Sequence, residues 1–227
     1  MKTTATHSPR SLIKASAVAC LVLSSLFSAP AMALAKQAGA DLWTSHRNIP
    51  VCFITPGFDD KKAIIKSAVQ NSWSRFGGIL FSGFGTCTSA PAVRVKIEAH
   101  PTQNVTASAY VGKSQNLRTS GHSVFFPIRP SFVRAKLEYE AVHEFGHVLG
   151  FIHEHLRDDN PGTQTACPPA VFPEKNYTDY SGYDPDSIMN YCGKSGNTFG
   201  MMSAGDMRGV AAAYGPSYLP IESAVLS

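Results

Sequence analysis

Residues 141–155 read AVHEFGHVLGFIHEH, with four of the chain's eight histidines and two glutamates in fifteen positions. His143 and His147 are four residues apart, so on a helix their rings share one face and can aim at one point. Glu144 follows the first of them and flanks that point without binding there. A straight helix could not bring a third histidine back. Gly150 supplies a stop and a bend, because glycine takes the left-handed conformation without penalty, and His153 arrives as a third ligand. Three imidazoles with an open fourth position describe a catalytic zinc site rather than a structural one. With 8 histidines in 227 residues, each further histidine demanded at a fixed place lowers the odds of chance by roughly thirty-fold. Val142, Phe145, Val148 and Leu149 give the segment the apolar flanks of a buried helix. His155 lies past the third ligand and reads as solvated, and His46, His100 and His122 lack metal spacing.

The elements that must position this site are legible in outline. NIPVCFIT (48–55) reads as a first strand. A turn with an N-cap at Asp59 or Asp60 leads into one helix, KKAIIKSAVQNSWSRF, that Gly77-Gly78 ends. ILFSGF and AVRVKIEA read as strands, the second alternating Val93, Val95 and Ile97. ASAYVGKS and HSVFFPI suit a strand or hairpin at a sheet edge. Ser131 is placed to cap the zinc helix and Gly150 to end it. Residues 160–200 read as a long ordered loop. SAGDMRGVAAAYG is a closing helix with Ser203 as cap and Gly215 after it.

The first residues read as a signal peptide: Lys2, Arg10 and Lys14 with no acid, then an apolar run, then APAMALA, with cleavage expected after Ala33 or Ala35. Removing 1–35 leaves 17 basic against 16 acidic residues. A chain so nearly neutral offers no footprint for nucleic acid, and after cleavage nothing is left to hold a membrane. The expected location is secreted or periplasmic. Cys52, Cys87, Cys167 and Cys192 then remain, an even number in an exported chain. Of three possible pairings, Cys52–Cys87 with Cys167–Cys192 is preferred, because each bridge closes a loop within one half of the chain.

HEFGHVLGFIHE resembles the zinc motif of the metzincin peptidases, and SIMNY (187–191) resembles the methionine turn that those proteins place beneath the metal. Glu154 after the third histidine is similar to the astacin-like branch, as are Arg157 and Asp159 in HEHLRDD. SAYVG (108–112) resembles the edge strand of the astacin cleft. The resemblance touches most of 43–215, though only the zinc motif and the methionine turn are specific. It departs at Asn190, where a histidine is common, at Asn160, and in the cysteine pattern. Asp41 in QAGAD is weakly similar to an aspartate that covers the zinc in some proenzymes.

The resemblance implies an α+β metzincin (zincin-like) fold: an N-terminal lobe of mixed sheet with the zinc helix, and a smaller irregular lobe ending in a helix. Beyond the signal peptide a single catalytic domain is expected over 36–227, with lobes of about 43–150 and 151–218. It implies one Zn2+ on His143, His147 and His153, with Tyr191 as a fifth, displaceable ligand whose hydroxyl helps to hold the oxyanion. Glu144 is the general base; Met189 packs under the imidazoles, and Glu154 stands behind them. The expected activity is that of a zinc endopeptidase, a monomer acting on protein or peptide. Two other readings stay open. A silent binding or adhesion module would have no need of Glu144, and a zinc hydrolase of a non-protein amide would have no need of the edge strand.

Overall fold

The computed structural model describes residues 34–37, 41–161, 177–180, 182–190 and 201–216. Tyr191, Cys167 and Cys192 lie outside the described residues, as does the expected signal peptide up to Ala33.

Five strands form the spine of one sheet in the order β3 (Phe81–Thr86), β2 (Ile49–Phe53), β4 (Ala92–Ala99), β7 (Val124–Ile128) and β5 (Ser108–Ala109). The first four are parallel, and β5 runs antiparallel to β7 at the edge. A short β6 (Leu117–Arg118) pairs with the start of β4. The alternation read in β4 has a direct cause, since Val93, Val95 and Ile97 are all fully buried on one face. The edge segment is shorter than its sequence suggests: after Ala109 the chain leaves the sheet, and a single helical turn, α3 (Lys113–Asn116), follows. Asn116 fixes that departure by donating to the carbonyls of Tyr110 and Gly112, both at 2.7 Å.

The helix expected through residue 76 is broken. α1 (Asp59–Asn71) ends at Ser72, and α2 (Trp73–Phe76) begins after it. Ser72 Oγ donates to the Ala68 carbonyl at 2.7 Å, taking the place of a helical N–H. The break lets Trp73 bury completely and donate its indole N–H to Val142 O at 2.7 Å. Neither Asp59 nor Asp60 caps α1; the N-cap is Phe58 in a left-handed conformation, and the two acids occupy the first turn. The helix of the histidine motif, α4 (Arg134–Val148), likewise starts later than Ser131, with extended Val133 at its N-cap and no side-chain cap. Ser131, Phe132 and Val133 are exposed, so no packing force draws the start of the helix back to them.

The end of α4 is closed as expected. Gly150 has φ 98°. Gly150 N donates to His147 O at 2.8 Å and Phe151 N to Gly146 O at 3.1 Å, the paired bonds of a Schellman turn. Two later carbonyls are satisfied from far along the chain, by Trp43 Nε1 on Val148 O at 2.8 Å and by Tyr214 Oη on Leu149 O at 2.6 Å. Tyr214 belongs to α5 (Ala204–Tyr214), whose Ser203 and Asp206 form a capping box. A separate pair of strands, β1 (Ala35–Gln37) and β8 (Tyr177–Asp179), runs antiparallel. No helix among the described residues is long and apolar enough to cross a membrane.

Cys52 and Cys87 form a disulfide joining β2 to the chain just past β3. It closes a loop of 35 residues, for which chain entropy gives about 4 kcal/mol. Replacing both cysteines with serine is expected to lower the denaturant midpoint accordingly; an unchanged midpoint would show that the staple contributes nothing.

Candidate metal centre

The three motif histidines meet. One ring nitrogen from each of His143, His147 and His153 lies within 4.8 Å of the others. His147 Nε2 and His153 Nε2 are 3.0 Å apart. The tautomers of the two helical histidines follow from their other nitrogens. His143 Nδ1 is 2.8 Å from the Ile188 carbonyl, and His147 Nδ1 is 2.8 Å from the Phe151 carbonyl. A carbonyl can only accept, so both Nδ1 atoms carry protons, and each neutral ring turns its Nε2 lone pair inward. Burial holds the rings neutral, lowering His143 to about 3, His147 to about 4 and His153 to about 2, with neighbouring histidines adding to the effect at 143 and 153. Three neutral imidazoles around one point, two fixed by main-chain carbonyls, are a donor set that fits zinc.

The turn that ends α4 therefore also orients an imidazole, because the same turn carries the Phe151 carbonyl that accepts from His147. The methionine turn serves the other helical imidazole through Ile188 O. Met189 is fully buried against Gly146, where any Cβ would overlap its sulfur and lie 3.0 Å from Trp73. The glycine between the two histidines is thus the space the thioether fills. Met189 O also accepts from Glu154 N at 2.9 Å, linking the turn to the third ligand's neighbour.

Asp206 holds the methionine turn, and sequence reading missed it. Fully buried, it accepts from Ser187 Oγ at 2.6 Å and Ile188 N at 2.8 Å while capping α5. The S-x-x-D spacing at 203–206 announces a cap but not this second task. Glu154 is fully buried behind His153, with Oε1 accepting from Asp184 N at 2.9 Å and lying 3.5 Å from Arg157 Nε. Arg157 forks onto Asp159 at 2.8 and 2.9 Å and reaches Asp179 of β8 at 3.4 Å. Asn190, at the departure from the motif, donates to Tyr183 Oη and Pro185 O, both at 3.0 Å. His155 is half-buried rather than solvated, and its ring stacks on His153 at 5.2 Å. Asp41 is engaged elsewhere: its carboxylate accepts from Ser114 N at 2.8 Å, just past the edge strand.

Glu144 is buried and lines a cavity with His143. Burial raises its carboxyl to about 8, and nearby Glu140 adds to the rise. Tyr139, one turn before His143, stacks on that ring at 5.9 Å. Burial and the carboxyls of Glu144 and Glu140 push its phenol up to about 12, so it stays neutral.

No sequence-family model matches the chain, and no curated protein does. Two structures of myroilysin superpose on it. One is 23% identical over 78% of this chain and 97% of its own, at a TM-score of 0.58; the other covers 86% of its own at 0.54. High choriolytic enzyme 1, a hatching enzyme zinc-protease of the medaka fish Oryzias latipes, is 16% identical over 77% of this chain and 94% of its own at 0.48, too loose a superposition to add to the comparison.

Two measurements test the centre. Between pH 6.5 and about 4 an unfolded chain binds protons that the folded imidazoles refuse. Their contribution to stability is therefore complete above 6.5 and is lost as pH falls through the folded values. In chelator-treated protein, His147→Gln is expected to reduce the fall in Tm over that range, and an unchanged slope would contradict the assignment. Gly146→Ala is expected to cost about 1–3 kcal/mol by overpacking and to regain much of it when combined with Met189→Ala; no cost, or no coupling, would contradict the packing described. Motif, methionine turn and superposition agree: the chain has the metzincin fold.

Proposed function

We propose that the chain is a zinc-dependent endopeptidase, secreted or periplasmic, monomeric and acting on proteins or peptides. One observation carries the reading: the ring nitrogens of His143, His147 and His153 converge within 4.8 Å of one another, and buried Glu144 lines a cavity with His143. His143, His147 and His153 would hold one Zn2+. When bound there, zinc lowers the pKa of a water and polarises a substrate carbonyl.

Glu144 takes a proton from the attacking water and delivers it to the departing amine nitrogen, so that the C–N bond breaks as the new C–O bond is kept. A divalent ion bound beside it would favour the ionised carboxylate that accepts the first proton. Tyr191 follows Asn190 directly, and its proposed part is to approach the same point and hold the oxyanion. A Cys167–Cys192 bridge beside it would limit that approach. Among the described residues β5 pairs only with β7, so its outer side can align an extended peptide through main-chain hydrogen bonds. Glu144 also separates this reading from a silent module, which would have no use for a base in that place.

A casein digest tests the proposal. Wild type is expected to cleave and to stop when a chelator is added. Glu144→Gln is expected to lose activity by about a hundredfold or more while still binding one equivalent of zinc. Equal cleavage by wild type and variant would refute the reading.

A further inference from the structure

The chain that follows β5 is held from several sides. Gly112 N donates to the His147 carbonyl at 3.0 Å, which pins the end of this segment to α4 at a residue of the histidine motif. Tyr110 N donates to Ser123 O at 3.2 Å, and the carbonyls of Tyr110 and Gly112 accept from fully buried Asn116. Tyr110 thus turns its main-chain groups inward, and the alternation of an extended chain turns those of its neighbours Ala109 and Val111 the other way.

α3 carries that asparagine, and its own start is incomplete. A helical turn leaves its first N–H groups without partners, and a side chain at the N-cap usually accepts from one of them. Here the N-cap is Gly112 at φ 84°, a conformation that favours glycine and so leaves no capping side chain. Asp41 supplies the cap from elsewhere in the chain. Its carbonyl accepts from Lys113 N at 3.0 Å and its Oδ1 from Ser114 N at 2.8 Å. Two residues on, Trp43 is buried with its indole N–H on Val148 O, at the end of α4. One short stretch therefore ties the end of the histidine helix to the turn that sets the edge segment.

These contacts run in series, from Trp43 and Asp41 through α3 and Asn116 to Tyr110 and Gly112. Resting on the peptidase reading, we propose that Asp41 is a positioning residue: by capping α3 it fixes the segment after β5 against α4, and so sets how an extended substrate lies relative to the histidine centre. Asp41 acts through the main chain of that segment and not on the reacting atoms. Its loss weakens substrate alignment rather than the chemical step, so the effect falls on KM and grows with the length of peptide that reaches along the edge.

A longer and a shorter peptide with the same residues around the cleaved bond provide the test, the longer one reaching along β5 and the shorter one not. With Asp41→Ala, KM of the longer peptide is expected to rise about tenfold, the scale of a lost capping bond. Its kcat, both constants of the shorter peptide and the single equivalent of zinc are expected to stay near wild type. Asp41→Asn keeps an acceptor oxygen for Ser114 N and is expected to restore the longer peptide's KM. Hydrogen exchange at the Ser114 amide, expected to speed up in Asp41→Ala and not in Asp41→Asn, reads the cap independently of activity. Asp41 is exposed, so both variants are expected to fold as wild type does, which circular dichroism checks. An unchanged KM in Asp41→Ala, equal losses on both peptides, or no recovery with Asp41→Asn would overturn this inference and leave the peptidase reading standing. If wild type with zinc bound cleaved neither these peptides nor casein, the peptidase reading would fail and the inference with it.

Discussion

The outward nitrogen of an imidazole decides what its inward nitrogen can do. At His143 and His147 the outward Nδ1 donates to a main-chain carbonyl, of Ile188 and Phe151 respectively, at 2.8 Å in both cases. A carbonyl does not titrate and cannot change role. Each ring is therefore held in one tautomer with its lone pair facing inward, and the main chain sets the direction. The consequence is demanding, because two turns separated in sequence must present their carbonyls to neighbouring positions of a single helix.

Much of the surrounding structure follows from that demand. The Phe151 carbonyl is in place because α4 stops cleanly at Gly150, and Trp43 and Tyr214 satisfy the helix's last carbonyls. The Ile188 carbonyl is in place because Asp206 grips Ser187 and Ile188, and Met189 fills the notch that Gly146 leaves. Asp206 is in turn fixed by its own capping box. The same burial that keeps the imidazoles neutral raises Glu144 and Asp206, to about 8 and about 6. Neutral imidazoles keep their inward lone pairs free for a metal, and a bound divalent ion would become the largest local charge.

The sequence made some of this legible and concealed the rest, for physical reasons. Spacing rules apply within one element, so the ligand set on α4, the alternation of β4 and the Ser203 cap could be read locally. The break at Ser72 could not, because it depends on Trp73 reaching a carbonyl on another helix. The late start of α4 depends on what Ser131 fails to pack against. Asp206 gave no signal of its second task, since its bonds to the methionine turn join positions 18 and 19 residues apart.

X-ray absorption at the zinc edge of the reconstituted protein tests the centre most directly. Three imidazole nitrogens at about 2.0–2.1 Å, with oxygen completing the shell, are the expected result, and His153→Ala should remove one of them. A sulfur scatterer at about 2.3 Å, or fewer than three imidazoles in the wild type, would contradict a centre built on His143, His147 and His153.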